Sequence, residues 1–305
     1  MQRLKRVFTA LWVVGAMLPF LPDFAQAQPS LQTVPIVTTG TKFTCSSLKR
    51  ISGALGSTQP LIVSGHCVEP ASLSIADTRT NITIIGKGTG QCGDSRNTTL
   101  TVNDNLVAGV TLGSGGSIIA VRGKNITITG FEIFGTDING SSNNFSASIA
   151  DRQNSRGIQV QRGGTLQVGR NVANANDSTI WAEQSGVCIR HVGKAGIEAT
   201  GSGTVVRVVN SEITESGGDA ISSSEGADVL VGFTSGGDFG LTNDPSGTGN
   251  FPGPAVSGPN YLHGNVGNGV TADRSGVARV VGNWITGNTG DGVRVRRNGF
   301  ADVAD

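Results

Sequence analysis

The chain has 305 residues, 46 of them glycine, with 15% charged and 5% aromatic residues. So much glycine and so few large side chains argue against a helical bundle and for an elongated, turn-rich architecture with a core of small aliphatic contacts. A formal net charge of +1 and regularly recurring Val and Ile exclude an extended disordered chain.

Residues 1–27 read as an export signal. Arg3, Lys5 and Arg6 precede an apolar run from Val7 to Leu21, and Ala25-Gln26-Ala27 offers an A-x-A cleavage site. Cleavage before Gln28 leaves 20 basic against 21 acidic residues, which gives no support to nucleic-acid binding or to an anionic membrane surface. The apolar run is shorter than the roughly 20 residues of a spanning helix and no later stretch is apolar enough, so no span is expected after cleavage. The expected location is secreted or periplasmic, including the cell surface.

Residues 28–75 are expected to form an N-terminal cap and the first strands, with a short helix in Leu48–Leu55 and a strand in Pro60–Cys67 covering the open end of a strand stack. In an oxidising compartment four cysteines allow three disulfide pairings. Cys45 with Cys67 is the first choice, because the two flank Ile51–Val63; Cys92 with Cys188 is then left by elimination. No two cysteines have the close spacing of a zinc site, and neither metal nor cofactor is expected. Gly88-Thr89-Gly90-Gln91-Cys92-Gly93 matches G-x-G-x-x-G, but it leads into polar Asp94–Thr99 rather than a helix, so a nucleotide site is not expected.

From residue 76 to 305 short aliphatic stretches alternate with glycine turns, interrupted at about 135–156, 170–185 and 236–259 by long polar or Pro-rich loops. The repeat is clearest at the end. Asn260-Tyr261-Leu262-His263-Gly264-Asn265 returns 23 residues later as Asn283-Trp284-Ile285-Thr286-Gly287-Asn288. Within one period Val270 and Ala272, or Val293 and Val295, alternate with polar residues, which is strand rather than helix chemistry. The pattern predicts an all-β solenoid, a parallel β-helix with three short strands per rung of about 23 residues. Residues one period apart become neighbours, so Asn260 and Asn283 are expected to form an amide ladder, and Asp273 with Arg296 and Arg279 with Asp302 to form surface pairs. One period beyond Asn283 falls at position 306, so the last rung is expected to be unfinished, either truncated or able to self-associate through its uncapped edge.

These rungs, with Asn125–Ile133, Gly157–Val160 and Gly186–Ile189, resemble the pectate-lyase-like superfamily of right-handed parallel β-helix proteins over roughly residues 76–305. The resemblance implies right-handed winding and, in the enzymes of that superfamily, polysaccharide chemistry in an outer-face groove walled by loops. The candidate lining is Arg190, His191, Lys194 and Glu198, with Glu212, Glu215 and Asp219 about one rung later. A lyase would use a base and a cation from Arg190, His191 or Lys194. A hydrolase would need two carboxylates, for which Glu215 and Asp219 are nearest in sequence. Arg190, His191 and Asp219 are accordingly the catalytic candidates. Against this, Asp219 fills the slot that Asn268 and Asp291 occupy as turn residues, and Arg190 and His191 also suit the solvated end of a strand. The paired aspartates, Gly-His-Gly and Arg-x-Lys of the superfamily's polygalacturonases are missing apart from Gly218-Asp219 and His263-Gly264.

Tyr261 and Trp284 should point outward on adjacent rungs, and with Trp181 and Lys194 they are the candidate substrate-binding residues, since aromatic faces suit sugar rings. The competing role is packing beneath the loop at 236–259. Two functions remain from this reading: an exported protein that binds or processes extracellular or cell-envelope polysaccharide, or a non-enzymatic, adhesin-like scaffold.

Overall fold

A strand with alternating aliphatic residues can bury one face only if a neighbouring strand repeats the pattern, and here each rung supplies the neighbour for the next. The computed structural model describes residues 37, 39–45, 51–55, 60–69, 71–102, 116–135, 155–170, 184–232 and 259–304. The export signal, Trp181 and nearly all of the three long loops lie outside the described residues. Strand Thr41–Thr44 opens a first sheet, after which the chain visits a first, a second and a third sheet in turn. One circuit is Leu61–Ser64, His66–Glu69 and Leu73–Ile75; the last ends with Trp284–Thr286 and Val293–Val295 before Phe300–Ala304 returns to the first sheet. Among the described residues the sheets hold nine, seven and seven strands, and every strand pairs in parallel with its counterpart one rung away. This is a parallel β-helix.

Three aliphatic columns form its core. In the first sheet Ile84, Ile128, Val168, Val208, Val231 and Val280 stack in register. The second stacks Leu100, Ile133, Ile189, Ile213, Leu262 and Ile285, and the third Ile119, Ile158, Ile197, Ile221, Val270 and Val293. Most of these are completely buried. Strands stack about 4.8 Å apart, close enough for β-branched side chains to interlock along the axis.

The first rung is covered by a helical turn, Ile51–Ala54, together with strand Thr41–Thr44. Ile51 is fully buried, and Glu69 accepts hydrogen bonds from Ile51 N (2.6 Å) and Ser52 Oγ (2.7 Å), which satisfies donors at the start of the helix. Strand Thr41–Thr44 lies outside the expected first strand and extends the first sheet by one position. A disulfide between Cys45 and Cys67 ties it to the second sheet.

Polar ladders run beside the aliphatic columns. Asn260 Nδ2 donates to Asn283 Oδ1 (2.8 Å) and Ser211 N donates to Asn260 Oδ1 (2.9 Å); Asn265 and Asn288 repeat the arrangement at the opposite end of the second-sheet strands. Each amide serves backbone groups that the turn leaves without a strand partner, which is why Asn rather than an aliphatic residue recurs there. Arg296 also reaches Asp273 (3.2 Å), and Arg279 stands in register with Asp302.

Candidate functional site

The residue just before each inward aliphatic position of the second sheet points outward. Register therefore aligns Thr99, Glu132, Cys188, Glu212, Tyr261 and Trp284 in one row on the outer face. A second row beside it carries Phe134, Arg190, Thr214, His263 and Thr286. The rows contain acids, an arginine, a histidine and three aromatic side chains, far more chemical variety than the uniform core columns behind them.

Over the first row lies a strap, residues 86–97, built around the G-x-G-x-x-G segment. Gly90, at φ +81°, passes so close to Gly186 that a Cβ on it would collide with the Gly186 carbonyl carbon, and a Cβ on Gly186 would strike the Asn210 carbonyl. Glycine is needed here for backbone-to-backbone approach. Three attachments then pin the strap: the Cys92–Cys188 disulfide, Cys92 N donating to Glu212 Oε2 (2.8 Å), and Gly93 N donating to Glu132 Oε2 (3.2 Å). Asp94 shapes its turn by accepting hydrogen bonds from Arg96 and from Thr89 Oγ1 (2.6 Å). The Arg96 guanidinium holds the Asp94 carboxyl well below the usual carboxylate range despite some opposing burial.

Glu132 and Glu212 flank Cys188 on consecutive rungs, so their backbones stand roughly 9.6 Å apart at two strand spacings. Both carboxylates are engaged. The Glu132 side chain, 4% exposed, accepts from Arg190 Nε (2.8 Å) and also pairs with Arg190 Nη2, while Asn97 Nδ2 adds a contact at 3.3 Å. Glu212 Oε1 lies 2.9 Å from His263 Nε2, and His263 Nδ1 is 3.4 Å from Thr214 Oγ1.

Next to this pair the outer face opens into a groove of about 690 Å³, lined among the described residues by Gln91, Glu212, Tyr261, Asn283, Trp284, Ile285 and Thr286. Tyr261 stacks on His263 (ring centroids 3.9 Å, 25°) and meets Trp284 edge-on (6.3 Å, 89°). Trp284 is 55% exposed, which leaves much of its indole open to solvent. The groove thus combines an exposed aromatic surface, neutral amide and hydroxyl groups, and a carboxylate.

The other sequence candidates sit elsewhere. Arg190 faces Glu132 under the strap. His191 is buried at the following turn in a left-handed conformation (φ 56°), with Nε2 2.8 Å from Glu215 Oε2. Asp219 Oδ1 accepts from Asn268 N (2.7 Å) and Nδ2 (2.8 Å), and Asn268 Oδ1 accepts in turn from Asp291 N (2.8 Å). None of the three is among the described residues lining the groove. Lys194 lies in the turn between the second and third sheets; burial lowers its pKa, with Arg156 adding to the effect and Glu198 opposing it. The proposed pair Glu215 and Asp219 is likewise divided between His191 and Asn268.

Glu132 and His263 escaped the sequence reading as site residues. The signal was the residue preceding each second-sheet Leu or Ile, but insertions of unequal length hid which of these residues share a row. For Asp219 a simple check separates turn from chemistry. Asp219→Asn keeps an Oδ1 acceptor and is expected to cost less than about 1 kcal/mol, whereas Asp219→Ala strands the Asn268 donors and costs about 1–3 kcal/mol, as read by urea denaturation. Equal costs would remove Asp219 from the ladder.

No protein-family model, curated protein or solved structure matches the chain.

Proposed function

We propose that this chain is an exported β-helix protein of the pectate-lyase-like kind that binds extracellular or cell-envelope polysaccharide in the groove beside the strap. The observation that carries this reading is Trp284, more than half exposed and braced edge-on by Tyr261 in a groove that also offers Gln91, Glu212, Asn283 and Thr286. Sugar rings present apolar C–H faces to an aromatic plane and hydroxyl groups to its polar rim, and this lining has both. The disulfides Cys45–Cys67 and Cys92–Cys188 fit an oxidising compartment. Engagement of Arg190 by Glu132, His191 by Glu215 and Asp219 by Asn268 favours binding over turnover as the primary role.

Affinity electrophoresis through gels containing soluble glycans tests the proposal. Trp284→Ala is expected to weaken retention about tenfold, and Trp284→Phe much less, because the phenyl ring keeps part of the platform. Retention of the Ala variant at the level of the unmodified protein would eliminate the aromatic platform and leave a scaffold without a saccharide site.

A further inference from the structure

We infer that the groove selects an uncharged glycan over a uronate polymer, and that Glu212 sets this selectivity; the inference rests on the glycan-binding reading above. Among the described lining residues Glu212 is the acidic one, and no lysine or arginine joins it. Its side chain is 11% exposed and held at both oxygens, by Cys92 N and by His263 Nε2. That carboxylate cannot swing away from a bound ligand without breaking the contacts that anchor the strap. Arg190, the arginine of the adjoining row, faces Glu132. The strap contributes neutral Gln91 from its side, and Asn283 and Thr286 contribute an amide and a hydroxyl.

A ligand carboxylate entering here would meet a fixed, largely desolvated carboxylate with no lysine or arginine among the described lining residues. Like charges placed together in a partly dry site repel strongly, whereas a carboxylate oxygen readily accepts a hydroxyl hydrogen bond from a sugar. Trp284 and Tyr261 provide contact area for any pyranose, so selectivity falls to the charge beside them.

The test measures dissociation constants of the full chain for two sets of soluble polymers: galactomannan, xyloglucan and mixed-linkage glucan as uncharged probes, and polygalacturonate and alginate as uronates. The expected result is binding to an uncharged polymer at least about tenfold tighter than to either uronate. Glu212→Gln should narrow that ratio to about threefold, and Thr286→Arg, at an exposed position in the same groove, should narrow it from the other side by drawing in polygalacturonate. Thermal melts of both variants establish that they fold. Preference for polygalacturonate in the unmodified protein would overturn the selectivity while leaving the aromatic platform in place. An unchanged ratio in both variants would remove Glu212 from this role. Binding to no polymer in either set would overturn the glycan-binding reading itself, and this inference with it.

Discussion

The double variant Cys92→Ser/Cys188→Ser is expected to lose about 4.7 kcal/mol of stability and to melt about 10 °C below the unmodified protein. The reason is the length of chain that this disulfide closes. Its cysteines are 96 residues apart, against 22 for Cys45 and Cys67. The loop-closure term grows with the logarithm of that length, so Cys45→Ser/Cys67→Ser should cost less, about 3.4 kcal/mol. The two variants should also differ in function. Cys92 carries the backbone N–H that holds Glu212, and its neighbour Gln91 lines the groove. Loss of the Cys92–Cys188 bond therefore loosens one wall of the groove, while loss of the other leaves it intact. Calorimetry and glycan retention on both variants test this, and equal retention losses would show that the strap does not shape the groove.

The second large effect concerns Asn260. It is fully buried; its Oδ1 accepts from Ser211 N, and its Nδ2 donates to Val208 O (2.8 Å) and to Asn283 Oδ1 (2.8 Å). Asn260→Ala removes all of these at once and strands a buried N–H and a buried carbonyl, which water cannot reach without opening the stack. Each orphaned group costs about 1–3 kcal/mol, so a total of about 3–5 kcal/mol is expected. Asn283 donates to Val231 O and Val281 O and accepts from Asn260 N and Nδ2, but it is partly exposed, so water replaces part of what Asn283→Ala removes and the cost is smaller, about 1–2 kcal/mol. Urea denaturation of the two variants should separate them clearly. A smaller loss for Asn260 than for Asn283 would mean that the ladder is not held by burial.

Particular residues show how far the sequence carries. The step from Asn260 to Asn283 is 23 residues, and the hydrogen bonds between them join positions one repeat apart. Leu262 and Ile285 stack for the same reason, and the alternation around Val270 and Val293 already marks which side chains face inward. Where rungs follow without insertion, spacing along the chain translates directly into distance along the axis.

The contacts that fix the strap and the acidic side chains beneath it span longer steps. Arg190 meets Glu132 across 58 residues, His263 meets Glu212 across 51, and the Cys92 amide meets Glu212 across 120. Each span crosses loops of different length, so no fixed period connects the partners, and residues 190, 191 and 219 read as one cluster although each has a different partner.

By itself the amino-acid sequence determined the parallel β-helix, because a stack of short strands needs only a recurring aliphatic pattern and glycine at the turns. Only the tertiary structure decided which outer-face residues share a row and which side chains the strap holds. The core columns are specified by pairing between adjacent rungs, whereas the groove depends on a strap that leaves its own rung and is anchored on later ones.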